Sequence, residues 1–130
     1  MAGSKENIWH LYQLWIGLGV VLLILIAILS LIPVPDGPAG NDKLAHVIMY
    51  AIPSSWFSLI VMRRTSLVWI FVALMSYGLL MEFLQGLTDY RSAEFGDAMA
   101  NGLGAIIGLM SHFSPLRRWL IIIDHRLSRL

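Results

Sequence analysis

A long uncharged run near the start of the chain constrains its fold more than any other feature. Between Asn7 and Pro35 there is no Asp, Glu, Lys or Arg, and residues 16–32 are almost wholly aliphatic. About 20 apolar residues are enough for a helix to cross the ~30 Å hydrocarbon core of a bilayer. A cleavable signal peptide has a shorter apolar run and a small-residue cleavage site. We therefore expect this segment to be retained as a membrane-spanning helix.

The composition of the whole chain points the same way. Of the 130 residues, 58% are hydrophobic and only 13% are charged, which is too few charges to cover a water-facing surface. The formal net charge of +1 provides no field for nucleic acid, so no nucleic-acid partner is expected. Because the chain has no cysteine, disulfides and thiolate chemistry are excluded.

The hydropathy pattern predicts an all-α membrane protein with a four-transmembrane-helix bundle. The expected spans are about 12–32, 44–62, 66–87 and 97–113, and they form a single domain over 1–113. Pro53 lies within the second span, where a proline kinks a membrane helix without ending it. The fourth span is rich in glycine and alanine, which favours close helix packing and provides a face for a homo-oligomer.

Residues 114–130 are expected to form a basic amphipathic helix that lies on the cytoplasmic membrane surface. Ser114 and Pro115 are typical of a helix start, with the serine as N-cap. One side of this helix carries an apolar arc, and the other side is polar and includes Asp124. The alternative is a short fifth helix packed against the bundle.

The distribution of basic residues predicts the orientation in the membrane. With a cytoplasmic N-terminus, that side holds most of the Lys and Arg residues, and the opposite side holds two. Both termini are therefore expected in the cytoplasm. The cytoplasmic residues are Lys5, Arg63, Arg64, Arg117, Arg118, Arg126 and Arg129, and the outer ones are Lys43 and Arg91.

This topology brings three groups of polar residues to the same outer level of the membrane. On the second helix, Asp42, His46 and Tyr50 lie on one stripe because they are four residues apart. Glu82 and Gln85 share a face of the third helix. The full set is Asp42, Lys43, His46 and Tyr50 in the second helix, Glu82 and Gln85 in the third, and Arg91, Asp97 and Asn101 in the last loop and the fourth.

Several of these residues also have simple structural explanations. Asp42 and Asp97 are suited to capping helices two and four, and Lys43 to reaching the head groups. Tyr50 is compatible with ordinary packing, and His46 with a neutral interior histidine. Glu82 is harder to explain in this way, because a carboxyl group in a membrane helix is costly unless it is paired, protonated or hydrated.

A histidine with two carboxylates has the parts for proton transfer, so Glu82, His46 and Asp97 are the catalytic candidates. The ligand-binding candidates are Asp42, Lys43, Tyr50, Gln85, Arg91 and Asn101. A metal site with His46, Glu82 and Asp97 is less supported, because the sequence has no local spacing such as H-E-x-x-H. No metal or other cofactor is therefore expected.

The same residues carry a family resemblance. Asp42-Lys43-Leu44-Ala45-His46 with Tyr50, then Glu82-Phe83-Leu84-Gln85, then Arg91 and Asp97 with Asn101 and Gly104, resemble the D-K-x-x-H…Y, E-x-x-Q and R…D-x-x-x-N-x-x-G blocks of VanZ-like membrane proteins. The resemblance covers about residues 33–110. It implies a small bacterial inner-membrane protein, and its founding member gives low-level resistance to teicoplanin-type glycopeptides. The tail after Pro115 has no counterpart in this pattern.

These observations favour an outward-facing polar pocket that binds the head group of a membrane lipid or of a lipid-linked cell-envelope precursor. One alternative is an intramembrane hydrolase or transferase that acts on such a lipid, with Glu82 and His46 as acid and base. Another is a structural scaffold whose polar residues only hold the helices together.

Overall fold

The computed structural model describes residues 8–33, 41–89 and 94–130, and within these ranges the chain is entirely helical, without a strand. The prediction of an all-α protein is therefore confirmed. Each predicted segment overlaps one helix. The elements are α1 (Tyr12–Leu31), α2 (Asn41–Ile60), α3 (Thr65–Gly86), α4 (Phe95–Leu109), a 3₁₀ helix (Met110–Phe113) and α5 (Leu116–Leu127).

Two helices in the described ranges, α1 and α3, are long and apolar enough to cross a membrane. A third span arises if α4 with its 3₁₀ helix and α5 count as one span, bent by 67°. Helix α2 also has 20 residues, but its first turns carry Asp42, Lys43 and His46 and its second half contains three serines, which lowers its hydropathy. These findings are consistent with a membrane protein.

The outer surface of the bundle is apolar. On α1, large aliphatic side chains such as Val21, Ile24 and Leu29 are exposed, and Trp69 and Phe83 are exposed on α3. Soluble monomers rarely expose contiguous apolar patches larger than a few hundred Å². This surface therefore suits contact with lipid.

Successive helices alternate in direction. Trp56 in the second half of α2 donates a hydrogen bond to the carbonyl of Trp15 near the start of α1. Tyr77 and Gln85 of α3 bond the carbonyls of Leu23 and Ser30 in the same order along α1, so these two helices run parallel. The start of α2 and the start of α4 consequently lie at the same end of the bundle as the C-terminal ends of α1 and α3.

Helices α2 and α4 are in backbone contact. A Cβ atom at Gly104 would overlap the carbonyl of Val47, and one at Gly108 would overlap the carbonyl of Ala51. Next to these glycines, the Ser54 hydroxyl donates to the carbonyl of Ala105 over 2.6 Å. The small-residue face expected to support an oligomer is therefore packed against α2 within the chain.

Helix α5 is anchored to the start of α1 by Asp124, which is fully buried. Its carboxylate accepts hydrogen bonds from the backbone N–H groups of His10 and Leu11 and from Trp15 Nε1, over 2.7–3.0 Å. Asp124, which was predicted on the polar side of the amphipathic helix, is therefore a buried acceptor for three donors at the start of α1.

The opposite side of α5 carries the predicted apolar arc, and Leu116, Trp119 and Ile123 are exposed there. Such a face is suited to lying on a membrane surface. Ser114 does not cap α5, as its hydroxyl donates to the carbonyl of Ser111.

Candidate functional site

A group of polar side chains lies where α2 and α4 begin, and we refer to it as the polar cluster. The backbone contact at Gly104 holds the first turns of the two helices side by side, so residues more than 50 positions apart meet. The polar cluster consists of Asp42, Lys43, His46, Glu94, Asp97 and Asn101.

Lys43 joins the two helices at the surface of the polar cluster. Its Nζ atom is 3.3 Å from Asp97 Oδ1 and 3.4 Å from Glu94 Oε2. The hydrogen bond to Asp97, followed by that to Glu94, raises the pKa of Lys43 above its ordinary value. The ammonium is thus firmly cationic, and half of the side chain remains accessible from outside.

His46 is the centre of the buried part. Its Nδ1 atom is 2.9 Å from Asn101 Oδ1, and its Nε2 atom faces Asp97 Oδ2 at 3.6 Å and Asp42 Oδ1 at 3.8 Å. An amide oxygen can only accept, so Nδ1 carries a hydrogen and donates it to Asn101. In a neutral ring, Nε2 then directs its lone pair at the two carboxylates.

Asp97 has more than a capping role. It lies within the first turn of α4, whereas the N-cap position is taken by Glu94, whose side chain makes no cap hydrogen bond. The two carboxylate oxygens of Asp97 instead face Lys43 and His46. The Asp97 side chain is 7% exposed, so Lys43 and His46 are its main polar neighbours among the described residues.

Tyr50 and Glu82 lie deeper in the bundle. A Cβ atom at Gly78 of α3 would be 3.2 Å from both Tyr50 Oη and Asn101 Nδ2, so α3 closes over these two groups. Neither polar atom has a hydrogen-bond partner in the described part of the chain. Glu82 follows Gly78 by about one turn of α3, is buried, and is in electrostatic range of Tyr50. Tyr50, Glu82 and Asn101, one residue from each of the three predicted polar groups, thus lie on neighbouring helices.

Two predicted site residues are placed differently or not at all. Gln85 is buried, and its amide donates to the carbonyl of Ser30 over 2.8 Å, so this side chain ties α3 to α1. Arg91 lies outside the described residues. The acid–base neighbours that the structure assembles directly are His46 and Asp97.

The polar cluster changes from exposed to buried along the helices. The side chains of Asp42 and Glu94 are both 58% exposed and that of Lys43 is 53% exposed. Asp97 and His46 beneath them are almost buried, and Asn101 is fully buried. The polar cluster is thus reached from the end of the bundle and closed at its base.

An apolar cavity of about 350 Å³ lies elsewhere, between α1, α2 and α3. It is lined by Leu23, Phe57, Ser66, Trp69, Ile70, Ala73, Leu74 and Tyr77. Since Ser66 and Trp69 belong to the first turns of α3, the cavity opens near the end of the bundle opposite the polar cluster. Its lining is mostly apolar and suits hydrocarbon, and the cavity is separate from the polar cluster.

Sequence reasoning did not identify Glu94 as a partner of Lys43. Its position three residues before Asp97 was a signal, because residues three apart on a helix share a face. Asp42 was assigned to the ligand-binding set, but its approach to His46 Nε2 depends on the side-chain geometry of the first turn of α2.

No protein-family model, curated protein or solved structure matches the chain. The VanZ-like resemblance consequently continues to depend on the residue blocks in the sequence.

Proposed function

We propose that this chain is a VanZ-like protein of the bacterial inner membrane that binds the head group of a lipid or of a lipid-linked envelope precursor at the polar cluster, through the Lys43 ammonium. In this proposal all four helices α1–α4 cross the membrane, both termini are cytoplasmic, and the polar cluster faces outward. The single observation that carries it is the Lys43 ammonium, half exposed at the mouth of a buried polar site.

The location of Lys43 supports a lipid as the ligand. It lies one position before the predicted second span, at the level where head groups meet the hydrocarbon core. The surrounding helix surfaces are apolar and suit acyl chains, whereas the exposed Lys43 ammonium at the edge of the polar cluster can donate a hydrogen bond to a phosphate oxygen of the head group. The same end of the bundle thus offers a suitable surface for the acyl chains and for the head group of a lipid.

Native mass spectrometry of the purified protein tests head-group binding. The probes are phosphatidylglycerol and a polyprenyl phosphate, with phosphatidylcholine as a lipid without net charge. We expect Lys43→Gln to lower the occupancy of the two anionic lipids several-fold. The matched control is Arg63→Gln, which also removes one exposed positive charge but at the end of α2 away from the polar cluster. Unchanged occupancy in Lys43→Gln would contradict the proposal.

Glycopeptide resistance is the physiological consequence that we propose from the resemblance. A protein that holds lipid-linked precursors changes what the antibiotic meets at the cell surface. Cells that express wild type, Lys43→Gln or Arg63→Gln at equal levels should differ in teicoplanin susceptibility, with only Lys43→Gln resembling the empty vector. Equal susceptibility in all strains would mean that head-group binding at Lys43 does not produce resistance.

A further inference from the structure

We propose that Asp42, His46 and Asp97 bind a divalent transition-metal ion of the Zn²⁺ class. Each residue offers one ligand atom, and the three atoms lie within 4.8 Å of one another. This set differs from the one considered in the sequence, because Asp42 takes the place of Glu82. The inference goes beyond head-group binding and does not depend on it.

The distances fit an ion better than they fit direct hydrogen bonds. His46 Nε2 is 3.6 Å from Asp97 Oδ2 and 3.8 Å from Asp42 Oδ1, beyond the 2.7–3.2 Å range typical of N–H···O bonds. Ligand atoms about 2.1 Å from a tetrahedral Zn²⁺ are separated by about 3.4 Å. The two nitrogen–oxygen distances are close to this value, and the two carboxylate oxygens, which lie within 4.8 Å of each other, would approach by at most about 1.4 Å to coordinate an ion.

Asn101 provides a second, independent observation. Its side chain is 1% exposed, and its Oδ1 atom accepts from His46 Nδ1 over 2.9 Å. Metal-binding histidines almost always donate their other ring N–H in this way, which fixes the tautomer and leaves the ligating nitrogen unprotonated. The other amide atom, Nδ2, is buried without a hydrogen-bond partner in the described part of the chain. Asn101 is thus committed to orienting His46.

The charges of the polar cluster also favour a cation. Asp42, Glu94 and Asp97 contribute three negative charges and Lys43 one positive charge, so with a neutral His46 the cluster carries a net charge of −2. Lys43 contacts Asp97 through Oδ1, whereas Oδ2 faces His46. Asp97 can therefore serve the ammonium and the ion with different oxygens.

The ligand set indicates the class of the ion. One imidazole nitrogen with two carboxylate oxygens suits Zn²⁺ better than Mg²⁺ or Ca²⁺, which prefer oxygen ligands alone. Three protein ligands leave one tetrahedral position open, as in reactive zinc sites. A phosphate oxygen would fill that position beside Lys43, and this extension rests on the proposed function.

Titration of the purified, chelator-treated full chain with Zn²⁺ and Co²⁺, followed by calorimetry and by the visible spectrum of Co²⁺, tests the site without any lipid. We expect one ion per chain. Asp42→Asn and His46→Gln should each lower the affinity for Zn²⁺ by about tenfold or more, because loss of even a second-sphere partner of a metal ligand typically lowers metal affinity by about 10–100-fold. Glu94→Gln is the matched control, because Glu94 is as exposed as Asp42, also lies in the polar cluster and is not a ligand.

Asp42→Asn keeps the test valid if His46→Gln does not fold, since Asp42 is exposed. Near-ultraviolet circular dichroism establishes that each variant is folded. The inference would be overturned if the folded wild type bound neither ion stoichiometrically, or if Asp42→Asn and Glu94→Gln bound Zn²⁺ equally well. Zn²⁺ binding without any binding of anionic lipid would retain the metal site and contradict only the proposed function.

Discussion

The amide oxygen of Asn101 lies 2.9 Å from Nδ1 of His46, and this contact joins the buried ends of the polar cluster on α4 and α2. Replacement of Asn101 by leucine keeps a similar volume but leaves the buried His46 N–H without an acceptor. Such a loss typically destabilises a protein by about 1–3 kcal/mol. Thermal unfolding in detergent should show this decrease for Asn101→Leu.

The control for this change is Met99→Leu on the exposed side of the same helix. Exposed substitutions away from special features usually alter stability by less than about 0.5 kcal/mol. A melting temperature of Asn101→Leu equal to that of Met99→Leu would mean that the contact with His46 contributes nothing to the fold.

Substitution by alanine should have opposite effects on stability at Gly104 and at Gly102. At Gly104 a methyl group would overlap the carbonyl of Val47, so Gly104→Ala should separate α2 from α4 and destabilise the protein by about 1–3 kcal/mol. At Gly102 the nearest atoms belong to the flexible Met75 side chain, at 3.5 Å and 3.6 Å. Gly102→Ala should therefore be neutral or stabilising by about 0.5–1 kcal/mol. The order of the two melting temperatures checks this prediction.

Gly104→Ala should also weaken Zn²⁺ binding at the proposed site, because it separates Asp97 on α4 from Asp42 and His46 on α2. Reversed melting temperatures for the two alanine variants would show that α2 and α4 are not in backbone contact.

The buried carboxylate of Asp124 should be important for the attachment of α5. Asp124→Ala removes the acceptor of three donors, two of them backbone N–H groups and the third Trp15 Nε1. We expect a loss of about 1–3 kcal/mol and a red shift of tryptophan emission as Trp15 becomes more solvated. Arg126→Ala on the exposed side of α5 is the control. An unchanged emission spectrum in Asp124→Ala would contradict the anchoring role.

The absence of cysteine permits a direct test of the proposed topology. Arg64 and Asp89 flank the two ends of α3, and both are exposed. With a membrane-impermeant maleimide, Asp89→Cys should be labelled in intact spheroplasts and Arg64→Cys only after lysis. The opposite labelling pattern would invert the orientation and place the polar cluster on the cytoplasmic side.

Helices α1 and α3 were predictable from the sequence because each is a continuous apolar segment next to polar or proline-containing loops. The helix topology predicted His46 and Asp97 at the same level of the bundle, and the glycines of α4 indicated close packing. The hydrogen-bond partners of individual side chains were harder to predict from the sequence. Gln85 was expected among the ligand-binding residues, yet it bonds the Ser30 carbonyl, and no sequence pattern identifies a backbone acceptor on another helix.

The tail shows the same limit. Its amphipathic pattern predicted an apolar and a polar face, but it could not tell which of them meets the bundle. The apolar face is exposed, and the face with Asp124 is packed against α1, because the free N–H groups at the start of α1 need an acceptor.

The contact of Gly104 with Val47 has a consequence for biogenesis. Helix α2 is synthesised before α3, and its partner α4 only after it, so in the proposed topology His46 would enter the bilayer before Asp97 and Asn101 exist. A chain that stops after α3 carries half of the polar residues and lacks the helix that shields them. Completion of α4 is therefore the step at which the newly made protein assembles the polar cluster, and in the proposed topology truncated products should be marked for proteolysis by the polar groups left facing lipid.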